Sequence, residues 1–70
     1  MTYRELTRRL RALGCEFDRQ GRGDHETWMH RGTLAHTTIP NWGNRDLKPG
    51  TLAAILRDLS ISRRDFEQAR

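Results

Sequence analysis

Seventy residues with thirteen lysines and arginines against nine carboxylates carry a formal net charge of +4, with a pI near 10.6. A chain this short buries only about 60% of its unfolded surface, which leaves room for one compact core and excludes a separate cofactor domain. The basic balance points to an anionic partner, either nucleic acid or an acidic protein surface.

The first predicted element is a helix. Thr2 and Glu5 stand at capping-box spacing, Tyr3, Leu6, Leu10 and Leu13 recur on one face, and Gly14 is its natural stop. Arg4, Arg8 and Arg11 line the opposite face. Such a stripe solubilises a helix as readily as it binds phosphate. Residues 15–20 then alternate loosely, with Cys15 and Phe17 on one side, and read as a strand.

Gly21-Arg22-Gly23-Asp24-His25 follows as a glycine-hinged basic loop that delivers a histidine to the start of a second strand, 25–30. Glycine permits a tight bend and close approach to a ligand. Arginine presents a planar fork of donors to phosphate, and imidazole exchanges a proton near neutral pH. Together they are a minimal kit for working on a phosphodiester. A lone histidine at a strand end is more often an ordinary polar surface residue, so its placement has to carry the reading.

Arg31-Gly32 marks a turn, and residues 33–39 return as a β-branched third strand ended by Pro40. A two-residue turn sets Trp28 opposite Ala35, with Ile39 on that side and with His25, Met29, Leu34 and His36 on the other. Residues 41–44 form a loop. A second helix begins near Pro49, with Leu52, Ile55, Leu56 and Leu59 as its apolar stripe. Ser62 and Asp65 cap a short terminal helix over residues 62–70. The order helix, three antiparallel strands, helix, short helix gives a two-layer α+β fold in a single domain spanning residues 1–70.

His25 is the candidate catalytic residue, as general base or acid, with Asp24 beside it to steer the ring or simply to form the turn. A base there need only remove the proton of a ribose 2′-hydroxyl. Arg19, Arg22, Gly23, Arg45 and Lys48 are the candidate RNA-binding residues. His36, on the face predicted for His25, is a better helper than His30. The three histidines and Cys15 lack the paired spacing of a metal site, so neither metal nor cofactor is expected. Trp28 reads as core, and Trp42 as a loop indole that caps the core edge, stacks on a base or anchors a partner. The single cysteine excludes an internal disulfide. No apolar run suits a signal peptide or a membrane span, so the expected setting is cytoplasmic, without a membrane partner.

These landmarks, taken in order, resemble the HicA family of bacterial toxins from about Glu5 to Ser62. Glu5-Leu6 through Leu13-Gly14, then Gly23-Asp24-His25, then residues 40–47 with Gly50-Thr51-Leu52, Ile55-Leu56 and Ile61-Ser62, carry the resemblance. The resemblance implies a fold like the double-stranded-RNA-binding domain and metal-independent cleavage of mRNA by a single histidine at the position of His25. It also implies inhibition by a HicB-like antitoxin. The sequence departs at Asp24, where a small neutral residue is common, and at Trp42, where many members carry histidine. The acid for the leaving group therefore has no assigned residue. The competing readings are a non-catalytic module that recognises duplex RNA by shape and a pure protein-interaction domain with a basic face.

Overall fold

The computed structural model describes residues 1–70. Helix α1 (Tyr3–Ala12) leads into strands β1 (Cys15–Gln20), β2 (His25–His30) and β3 (His36–Pro40), followed by helices α2 (Pro49–Asp58) and α3 (Arg63–Gln68). The strands form one antiparallel sheet in the order β1-β2-β3. The helices and the loop after β3 cover one face and leave the other open. This is the two-layer α+β arrangement that the element order predicts, of the double-stranded-RNA-binding type that the family resemblance implies.

Helix α1 starts where Thr2 Oγ1 accepts the Glu5 N–H at 3.3 Å, and it ends at Gly14, whose φ of +93° favours glycine. Ser62 caps α3 in the same way, through the Asp65 N–H at 3.0 Å. Leu6 and Leu10 of α1, Trp28 of β2, Ile39 of β3, Ile55 and Leu59 near α2, and Phe66 of α3 are all fully buried in one core. Every apolar stripe points into it, which is what a domain this small requires.

The turn between β2 and β3 differs from the sequence expectation. Residues 31–35 make the connection, β3 starts at His36 rather than residue 33, and Trp28 pairs with Thr37 rather than Ala35. His30 is the reason. Its Nδ1 accepts the N–H groups of Gly32 and Thr33 at 3.0 and 3.3 Å, while its carbonyl accepts the Leu34 N–H at 2.8 Å. Leu34 takes a φ of +65° to close the loop. The register moves by two residues, not one, so the faces survive. His25, Met29 and His36 share the open face as expected, but Leu34 has left the strand.

A second irregularity lies in β1. Phe17 faces Trp28 and Arg19 faces Thr27, so Asp18 is the extra residue of a bulge. Asp18 and Arg19 both turn to the open side as a result. Replacing Leu10, fully buried in the core, by alanine should lower stability by about 3 kcal/mol. A chemical-denaturation midpoint that does not move would contradict this placement of the core.

Candidate functional site

His25 opens β2, and its neighbour Glu26 pairs with Ile39 on the covered face. Alternation therefore sends the His25 side chain to the open face, at the rim of the sheet. Its side chain is 58% exposed. Nε2 lies 3.8 Å from Asp24 Oδ1, beyond hydrogen-bond distance.

The hairpin that holds it is tightly specified. The Gly21 N–H donates to the His25 carbonyl and the His25 N–H to the Arg22 carbonyl, both at 2.8 Å. Gln20 Nε2 donates to the Gly23 and His25 carbonyls at 3.0 Å each. Gly23 needs its left-handed φ of +53°, and a Cβ on Gly21 would meet the His25 carbonyl at 3.1 Å. The backbone N–H groups of Arg22, Gly23 and Asp24 have no protein acceptor. Three successive free amides beside an arginine suit an anionic oxygen.

The predicted RNA-binding residues divide into two groups. Arg22, Gly23 and His25 sit together on the hairpin. Arg19 faces Thr27 and so is diagonal to His25 on the open face, within reach of a long side chain; its guanidinium is held by Asp18 at 2.9 Å. Arg45 and Lys48 lie on the segment that leaves β3. That segment is tied to the hairpin where the Asn41 N–H donates to the Asp24 carbonyl at 2.8 Å. Arg45 stacks on Trp42, 4.7 Å from the ring centroid, and Trp42 itself packs against the core. Trp42 thus caps the core edge and seats an arginine, and Trp28 is core as expected.

The other two histidines do not join this site. His36 shares the open face but pairs with Met29, four residues from His25, or about 13 Å along the strand. Its Nε2 approaches Asp18 Oδ2 at 3.6 Å instead. His30 is committed to its turn at the far end of β2.

What the sequence reading missed is Glu26. Its buried carboxylate accepts the Tyr3 hydroxyl at 2.6 Å, Trp28 Nε1 at 3.0 Å and Asn41 Nδ2 at 3.2 Å. Arg11 lies over the Trp28 ring, 5.0 Å from its centroid. These contacts join α1, β2 and the post-β3 loop directly behind His25. The available signal was alternation: an acid two residues before a core tryptophan must share its covered face.

Fold and rim together define a small two-layer α+β domain that presents one exposed imidazole on a glycine hairpin with free amides. The family model for the HicA toxin of bacterial toxin–antitoxin systems matches residues 3–61. The chain belongs to that family, and membership implies a HicB-type antitoxin as partner. No curated protein and no solved structure matches it. No helix is long and apolar enough to cross a membrane.

Burial pushes the Glu26 carboxyl up, but the hydrogen bonds from Tyr3, Trp28 and Asn41, with the Arg11 charge, outweigh it and leave the group below its ordinary 4.5. Its contribution to stability is therefore complete above pH 4.5 and is lost as pH falls through the lower folded value. Burial first, and then the Glu26 hydrogen bond and charge, push Tyr3 up from 10.0 to about 12. That contribution is complete below pH 10.0 and fades as pH rises toward 12. Tyr3 is the only tyrosine, so near-ultraviolet phenolate absorbance reads it alone. The folded chain should titrate near 12 and the chain in denaturant near 10, about the free phenol's value. Equal midpoints would rule out the Tyr3–Glu26 contact.

Proposed function

We propose that this HicA-family toxin is a metal-independent endoribonuclease acting on mRNA, with His25 as its proton-transfer group. The observation that carries the reading is an imidazole held by a rigid hairpin, exposed at the rim and aimed away from the core.

His25 takes the proton of a ribose 2′-hydroxyl, and the freed oxygen attacks the adjacent phosphorus. The bond from phosphorus to the 5′-oxygen breaks, that oxygen leaves with a proton from water, and the hydroxide so formed takes the proton held by His25. The products are a 2′,3′-cyclic phosphate and a 5′-hydroxyl. Positioned proton transfer of this kind contributes about 10²–10⁴-fold. Arg22 and the free amides from Arg22 to Asp24 hold the phosphate, and charge that builds on its oxygens during attack strengthens those bonds. Gly23 leaves its surroundings open to a ligand. Arg19, Arg45 and Lys48 attract the strand.

A non-catalytic RNA-binding role is the second reading. It draws on the distance of His30 and His36 from His25, which leaves the rim with one imidazole.

Purified protein should cut RNA in the presence of chelator, and His25→Ala should lower the rate by at least about 10²-fold while leaving the thermal melt in place. A 2′-deoxy substitution at the cleaved nucleotide should stop cleavage there. Equal cutting by His25→Ala overturns the catalytic assignment. Salt-sensitive RNA binding without any cleavage supports the second reading.

A further inference from the structure

The positive charge of this chain does not collect where His25 points. The segment from Cys15 to Pro40, which holds the whole sheet, carries three arginines against four carboxylates. Helix α1 alone holds four arginines and one glutamate, three of the four net charges. Arg4, Arg8 and Arg11 are exposed; Arg4 and Arg8 form no ion pair, although Glu5 is a neighbour, while Arg11 lies over Trp28 with its charge near Glu26. Two adjoining shallow clefts of about 440 and 410 Å³ meet at Arg8. The first is lined by Arg4, Glu5, Arg8 and Arg11, with no apolar side chain.

We infer that this face of α1 is a phosphate-backbone track that holds RNA beyond the His25 rim. The inference rests on the proposed RNA substrate.

Three observations favour a nucleic acid over an acidic protein. The cleft offers three arginines, one glutamate and no apolar side chain, whereas protein interfaces centre on aromatic and apolar anchors. The stripe from Arg4 to Arg11 runs about 10 Å along the helix, long enough to meet more than one phosphate of a strand. It is also continuous with the rim. Asn41 is bonded to the hairpin at Asp24, the chain continues past Arg45, Leu47 N–H donates to the Met1 carbonyl at 2.8 Å, and Thr2 pairs with Asp46. Arg4 follows two residues later. A strand leaving His25 thus meets Arg45, then Arg4, then Arg8, without crossing the acidic open face at Glu16 and Asp18.

The test uses His25→Ala protein, which retains RNA intact, with and without Arg4→Gln and Arg8→Gln. Glutamine preserves helix propensity, and circular dichroism checks the fold. Arg11 is left in place because it covers Trp28. Anisotropy measures binding of labelled single-stranded RNAs of about twenty and about four nucleotides over a salt series. The double change should lower the slope of log K against log salt for the long RNA by about 1.4, weaken it about tenfold at low salt, and collapse its advantage over the short one. An unaltered slope and affinity for the long RNA overturn the inference. So does weakened binding of polyglutamate with the RNA slope intact, since the face would then belong to a protein. Cleavage of the short RNA by the chain with His25 intact tests the nuclease reading separately, so either can fail alone.

Discussion

A carboxylate buried at the start of β2 is the constraint from which the rest of this structure follows. Glu26 sits between sheet and helix, where an ion without hydrogen-bond donors would be untenable. Its donors come from three places in the chain: Tyr3 at the start of α1, Trp28 two residues on, and Asn41 just past β3. Satisfying the group therefore docks α1, fixes the register of β2 and pins the loop after β3 in one step. The in-out alternation of the strand then leaves His25 a single direction, away from the core. Asn41 closes the arrangement, with its side chain on Glu26 and its N–H on the Asp24 carbonyl.

The fold was legible because its signals agree at each level. The Tyr3, Leu6, Leu10, Leu13 spacing, the Gly14 stop, Pro49 in the first turn of α2 and the Ser62 cap all describe local chemistry that the tertiary structure does not override. The loop between β2 and β3 was not legible, because its shape depends on the His30 imidazole accepting two backbone amides, and Leu34 adopts a conformation that its residue type does not announce. The bulge at Asp18 has no sequence mark either. At the candidate site, Arg22, Gly23 and His25 stand out in the sequence by their glycine-hinged context, and the structure gathers them on one hairpin. Glu26, Tyr3 and Asn41 were not, since each looks like an ordinary polar residue until the strand and loop are brought together. His36 shows the limit of face assignment. It shares the face of His25, yet sits at the other end of the strand.

Membership in the HicA toxin family sets the context in which this geometry operates. Chemistry and charge are divided in the molecule. The imidazole and the free amides lie at the rim, on a segment with no net positive charge, so the local field there comes from a few placed donors. Most of the net positive charge lies on α1, behind the sheet. Under the proposed function, such a division has a domain of 70 residues attract a polyanion broadly while the rim reserves one orientation for His25. Trp42 serves here to seat Arg45 against the core edge.

The central claim is that substrate RNA is met at the rim built on Glu26, next to His25. Amide chemical-shift mapping by NMR, with an RNA made uncleavable by 2′-deoxy substitution, tests it most directly. Shifts should concentrate on residues 20–25, Asn41 and Arg45, extending to Arg4 and Arg8 with a longer RNA, with Glu16, Arg31 and His36 silent. Shifts confined to those last three, at the opposite end of the sheet, would contradict the account.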